Sequence, residues 1–421
     1  MTDTAGQYEQ RPDTVKMPNL LVKKVRRQSA GVAKKPYPAL YFDTAATTRV
    51  APEVVAAMVE QLNSADGYAN PSSTSHQPGQ AAAAIIAKAR ADIATELGCK
   101  PDEVIFTSGA TEANNLALRG VALAHAAQGR HLVVSAIEHP AVLAGCDALQ
   151  REGYAITRVA PNRQGWIEPE AVARALRPET LLISLMHINN ETGMKQPLAE
   201  VAELALEAGV LFHVDAAQSA GKFKIDLQHV PIDFLALSAH KFHGPKGVGC
   251  LVIRNRRRLR LQPLLYGGGQ EFGLRPGTLA THQIIGLSAA LTLAATRREA
   301  DLIHIAGLKH QFLEQLALCL PIQVHGDLAH GSPYIVNLSI AGISSAALIN
   351  QLAEELAIAS GSACSSGAIE PSPVLRAMGI EGELLYSAIR VSFSRDHSAV
   401  EVALAVDRIV AAAQRMRELD Q

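Results

Sequence analysis

The sequence predicts an α/β fold, in which a large domain with a mostly parallel sheet covered by helices is followed by a smaller α+β C-terminal domain. Two patterns predict it. Short unbroken apolar runs alternate with longer segments of helical period, which is what a parallel sheet with crossover helices requires. A chain of 421 residues, 48% hydrophobic and only 19% charged, can also bury more than one core.

Taken in order, residues 1–36 stand apart as a basic N-terminal extension without periodicity, ending in "VKKVRRQSAGVAKK", and are expected to be a flexible, solvated tail or, alternatively, a partner-binding arm. Residues 51–285 form the expected large domain. Its buried strands are "EVIFTSG", "HLVVSAIEH", "TLLISLMHIN", "VLFHVDAAQ", "DFLALSAHK" and "GVGCLVIR", and "EANNLALRGVALAHAAQ" and "LAEVAELALEA" are helices between them. Residues 37–50 and 286–421 form the expected small domain. It opens on a long helical stretch, followed by strands "YIVNLSIAG" and "AIRVSFS" and helices "SAALINQLAEEL" and "AVEVALAVDRIVAAAQRMREL".

A net charge of −1 provides no global field for nucleic acid or an anionic membrane, and no apolar run is long enough to span a bilayer. The five cysteines, Cys99, Cys146, Cys250, Cys319 and Cys364, show neither a disulfide framework nor metal-ligand spacing. The expectation is a cytoplasmic protein without a metal, with Cys250 and Cys319 serving as small core residues.

In open parallel sheets, ligands collect at the carboxyl ends of the strands. "VIFTSGATEANN" places Ala110 and Thr111 at a Gly turn and helix start, suited either to a phosphate or to a plain helix cap. "HVDAAQSAG" ends a strand on Asp215, with Gln218 just beyond, and a carboxylate there needs a cation or a protonated heterocycle. "LALSAHKFHGPKG" ends another strand on Ser238, His240 and Lys241, a lysine with little to pair with and so open to desolvation and nucleophilic use. "AIEHPAV" adds His139, a ring that could stack or exchange protons. Anion, amine and phosphate cradle together match pyridoxal 5'-phosphate.

These motifs, with "YFDTAATT", "NPSSTSHQPG", "NNETG", "RPGTLATHQIIG" and "SGSACSSG", resemble those of the NifS/IscS-like cysteine desulfurases, fold-type I pyridoxal-phosphate enzymes of the class V aminotransferase family, over about residues 40–415. The resemblance implies that Lys241 carries the cofactor, Asp215 pairs with its pyridine nitrogen and Gln218 bonds its phenolic oxygen. It further implies His139 against the ring, Ala110, Thr111, Ser238 and His240 around the phosphate, and Thr278 reaching that phosphate from the other subunit of a homodimer. Asn190 and Arg390 would hold the substrate carboxylate, a task that suits the planar guanidinium.

The implied reaction removes sulfur from L-cysteine, giving L-alanine and a persulfide on Cys364. "ASGSACSSG", with Gly361 and Gly367 on either side of that cysteine, reads as a mobile loop. His139 or the substrate amine could deprotonate the thiol. Selenocysteine lyase, or another fold-type I reaction, is the enzyme alternative, and a sulfur-relay or scaffold module is the non-enzyme one. The implied acceptor is a protein of iron-sulfur cluster assembly, tRNA thiolation or DNA phosphorothioation. The basic run "RNRRRLR" is either a solvated surface or a docking site for an acidic acceptor.

Overall fold

The computed structural model describes residues 40–64, 67–360 and 371–419. The N-terminal arm, Gly361, Cys364 and Gly367 therefore lie outside the described residues. The chain enters through a two-residue strand, β1 (Leu40–Tyr41). The central sheet then collects β2 (Val104–Thr107), β3 (His131–Ser135), β4 (Ala155–Val159), β5 (Thr180–Ser184), β6 (Leu211–Asp215), β7 (Phe234–Ser238) and β8 (Gly249–Ile253). Their spatial order is β2-β8-β7-β6-β5-β3-β4, and only β8 runs against its two neighbours. Both faces are covered, so β2, β3, β5, β7 and β8 are buried at every residue and read as continuous apolar runs. The period of two survives in what they touch: Val133, Ile183 and Leu235 enter one core, and Leu132, Leu182 and Phe234 the other. β4 escapes the apolar signal because it is an edge strand, open at Ala155 and Arg158.

A second, antiparallel sheet holds β9 (Ile322–His325), β10 (Ile335–Ile340), β12 (Ala359–Ser360) and β13 (Ala388–Ser392), in the order β12-β13-β10-β9. β11 (Leu356–Ala357) pairs with β1, and Asp43 bridges to Ser392, so the first described residues join this second layer. One helix of 39 residues, Thr281–Cys319, joins the two bodies. It buries Ile284, Leu287 and Leu291 in the first core and Ile305, Phe312 and Leu316 in the second. At its end Cys319 is exposed, contrary to the core role expected of it, because the helix turns its last residues outward and closes on Leu320 instead. Cys250 is fully buried in β8.

Between β8 and that helix the chain crosses the surface, held by one buried pair. Glu271 takes two hydrogen bonds from Arg90, at 2.9 and 2.5 Å, and one from the Phe106 N–H at 2.7 Å. Glu271 and Phe272 both have positive φ, 48° and 59°, a conformation that these contacts offset. The basic run starts where β8 leaves the sheet, at the end away from Ser238 and Gly249. Asp102 pairs with Arg256 and Arg257 there. Among the described residues no helix is long and apolar enough to cross a membrane.

Candidate active site

A cavity of about 530 Å³ opens at the carboxyl ends of β2, β3, β5, β6 and β7. It is lined by Ala110, Thr111, His139, Asn190, Asp215, Gln218, Ser238, His240 and Lys241 together. Each strand contributes through the turn that follows it, so residues far apart in the chain converge because parallel strands end side by side.

After β2, Gly109 takes φ 152° and starts the helix Ala110–Ala124 with no side chain capping it. The first-turn N–H groups of Ala110, Thr111 and Glu112 have no acceptor within the helix, so they and the helix dipole favour an anion. A methyl group on Gly249, in neighbouring β8, would lie 2.3 Å from the Leu237 carbonyl oxygen and 2.8 Å from Gly109 Cα. Two glycines thus hold this turn against the sheet. The Ser238 hydroxyl sits beside Gly109. His240 contacts Thr47 Oγ1 at 3.1 Å, and burial with the neighbouring lysines pushes its ring down to about 4.

Asp215 ends β6 at 4% exposure. Its Oδ1 accepts the Ala217 N–H at 2.8 Å and its Oδ2 accepts Asn114 Nδ2 at 2.7 Å. Asn114, fully buried, accepts in turn from His213 Nε2 at 3.1 Å, and the His213 Nδ1 accepts from the Ser184 hydroxyl at 2.8 Å. Every donor and acceptor role is fixed by the next, and burial holds the His213 ring neutral, down at about 3. The relay thus ends on an N–H donor to Asp215. Next to it Glu138 gives Oε1 to the Met186 N–H at 2.6 Å, and burial, then the Asp215 charge, pushes its carboxyl up to about 8.

Lys241 is not short of partners, as its sequence context suggested. Its Nζ donates to the Ala45 and Ala46 carbonyl oxygens, at 2.7 and 2.9 Å. Gln218 Nε2 donates to the same Ala45 oxygen at 2.8 Å, and Gln218 Oε1 accepts from Lys222 Nζ at 3.3 Å. His139 caps the helix Pro140–Arg151 by accepting the Ala141 N–H on Nδ1 at 3.1 Å, and burial holds its ring below the usual histidine range. That bond leaves the proton of the neutral ring on Nε2.

Arg390 lies on β13 at 3% exposure, so it is neither a surface residue nor a direct wall of the cavity. It reaches the site through Asn190, whose carbonyl takes Nη1 at 2.9 Å, while Nη2 pairs with Asp43 at 2.7 Å. Its Nε has no partner. In register with Arg390 stands Ala359 of β12. On the other side of the Cys364 segment the Ser372 hydroxyl donates to Glu191 Oε2 at 2.5 Å, and Glu191 follows Asn190 in the chain. Thr278 is exposed and does not line the cavity.

Four residues here went unmarked in the sequence: Asn114, Glu138, Lys222 and Asp43. Only Asn114 carried a signal, as an asparagine within a helix, where side chains of that type are unfavourable unless engaged. The donor set fits pyridoxal phosphate. A lysine amine and an amide donor share one acceptor, a hydrogen-bonded carboxylate lies in the same cavity, and an uncapped helix terminus faces it.

The family model for aminotransferase class V matches residues 40–404. The cysteine desulfurase IscS of Azotobacter vinelandii is 43% identical over 380 residues, covering 90% of this chain and 94% of that protein. Among solved structures, a NifS-like protein superposes with a TM-score of 0.83 at 32% identity, over 89% of this chain and 99% of the other. SspA, solved in complex with cysteine, matches with a TM-score of 0.74 at 35% identity, over 84% and 99%.

Proposed function

This chain belongs to the aminotransferase class-V family and is a pyridoxal-phosphate-dependent cysteine desulfurase of fold type I, and we propose that the cavity at the strand ends holds both its cofactor and its substrate cysteine. The observation that carries this reading is the meeting of Lys241 Nζ and Gln218 Nε2 on one carbonyl oxygen. In pyridoxal phosphate the aldehyde carbon and the phenolic oxygen are on neighbouring ring atoms, so the amine and the oxygen's donor must stand side by side. Asp215 would hold the ring nitrogen, and Ala110, Thr111, Ser238 and His240 would hold the phosphate. When bound, the cofactor supplies an electron sink for the bonds at the substrate Cα.

The chain's own residues divide the remaining work. Lys241 attaches the cofactor and moves the Cα proton. Arg390, oriented by Asp43 and Asn190, takes the substrate carboxylate with the N–H groups that those two bonds leave over. His139 would lie against the cofactor ring. Its Nδ1 is committed to Ala141 and its Nε2 already carries a proton, so it is poorly placed to accept the Cys364 proton. The substrate amine takes it. The Cys364 thiolate then attacks the substrate sulfur, a sulfur–sulfur bond forms, and the carbon–sulfur bond breaks with its electron pair left on carbon, where a proton completes the methyl group of alanine.

Sulfur passes from this persulfide to an acceptor protein. Thr278 acts from the second subunit of a homodimer. In support, Val55, Val59 and Leu62 expose one apolar helix face, and Thr281 Oγ1 bonds to Gly67 just past that helix, next to the Thr278 segment. The test is paired. Lys241→Ala loses the visible absorbance of bound cofactor, whereas Cys364→Ser keeps it and makes no persulfide. A Cys364→Ser enzyme that still forms protein persulfide would sink the assignment, and sedimentation at 44.7 kDa rather than twice that value would sink the homodimer.

A further inference from the structure

We propose that Lys222 is a positioning residue: by donating to Gln218 Oε1 it turns the NH₂ of that amide towards Lys241 and the cofactor's phenolic oxygen. This rests on the role of Gln218 given above.

Lys222 is 7% exposed, and among the described residues no carboxylate pairs with it. A buried lysine of this kind is costly. Its Nζ has two neighbours of use, Gln218 Oε1 at 3.3 Å and the Tyr334 ring, whose centroid is 5.1 Å away. Asp301, the carboxylate that lines the same void, is engaged elsewhere, pairing with Arg297 and Arg395. Lys222, Asp301, Arg395, His243 and Tyr334 share a void of about 20 Å³, room for one water. Burial, then Lys241 and Arg390, brings Lys222 down to about 7, so its ammonium is held at a cost that the amide and the ring repay in part.

An amide has two ends of nearly the same shape, and its neighbours decide which end goes where. Here Nε2 meets the Ala45 carbonyl and Oε1 meets an N–H donor. The flipped amide would set oxygen against oxygen at Ala45 and nitrogen against nitrogen at Lys222. Lys222 thereby makes the flip unfavourable from the far end of the side chain, without touching the cofactor.

The experiment uses holoenzyme and reads the pKa of the bound cofactor's visible absorbance in Lys222→Met, Gln218→Ala and the double variant. A donor to the phenolate, like a nearby cation, favours the deprotonated chromophore. Each single variant is therefore expected to raise that pKa by roughly 0.5–1.5 units, and the double variant to match Gln218→Ala. Lys222→Arg, which keeps donor and charge, restores most of the shift, and Lys222→Leu serves as second variant should Lys222→Met not fold. Shifts that add in the double variant overturn the proposal, because Lys222 would then act independently of the amide. So does an unmoved Lys222→Met beside a shifted Gln218→Ala. An unmoved Gln218→Ala would instead remove the role of Gln218 itself, and the proposal with it.

Discussion

Replacing Asn114 with leucine, similar in size but without polar atoms, cuts the relay that ends on Asp215. Two losses follow from the distances. Asp215 Oδ2 forfeits its 2.7 Å bond from Asn114, a charge-assisted contact worth about 1.5–3 kcal/mol. His213 Nε2–H forfeits its 3.1 Å acceptor in a fully buried position, which costs about 1–3 kcal/mol. Leucine returns some apolar burial, so a net destabilisation of about 2–4 kcal/mol is expected. If about 2 kcal/mol of the Asp215 contact also bears on the transition state, kcat/KM for alanine formation falls about thirtyfold. Urea titration of the apoenzyme reads the first number and alanine release from L-cysteine reads the second. An Asn114→Leu enzyme with an unchanged urea midpoint and kcat/KM within twofold of the parent would refute the relay.

Three other outcomes are expected. Gly249→Ala, whose methyl would meet only backbone at 2.3 and 2.8 Å, loses cofactor retention and costs about 3 kcal/mol or more. Gly307→Ala, inside the long helix with nothing within 4 Å, is neutral or stabilising by up to about 1 kcal/mol; equal effects of the two would contradict the crowding described. His187, held at about 3 by burial against an ordinary 6.5, binds no proton in the fold while the unfolded chain does, so it removes stability as pH falls from about 6.5 towards 3. At pH 5 that amounts to about 2 kcal/mol, and His187→Gln should lose that much less than the parent between pH 7.5 and 5.0 in urea titrations, equal losses being the adverse result. Finally, native enzyme treated with a thiol reagent is modified at exposed Cys319 but not at Cys146 or Cys250, and Cys319→Ser leaves sulfur transfer intact; peptide mapping decides it.

The strands of the central sheet were legible because burial on both faces writes them as apolar runs, and β4 was not, because an edge strand need not be apolar. Asp215, Gln218, His139 and Lys241 could be picked out as polar residues at strand ends. Asp43 and Lys222 could not. Each works through a partner distant in sequence or on the far side of an amide, and neither spacing nor composition records which way a side chain turns. Cys319 misled because a helical apolar pattern says which face is buried, whereas its last turn can leave that face.

The two anchors of the segment bearing Cys364 act as a leash. Ser360 is fixed in register with Ile389, one step from Arg390, and Ser372 is fixed to Glu191, one step from Asn190. Chain geometry allows the four residues from Ser360 to Cys364 a reach of no more than about 14 Å. On the role proposed for Cys364, a sulfur confined to that radius would be present at roughly 0.1 M near its substrate. The same radius would bound handover: the acceptor's receiving atom has to come within the leash of the β12 edge, wherever else on the surface the acceptor docks.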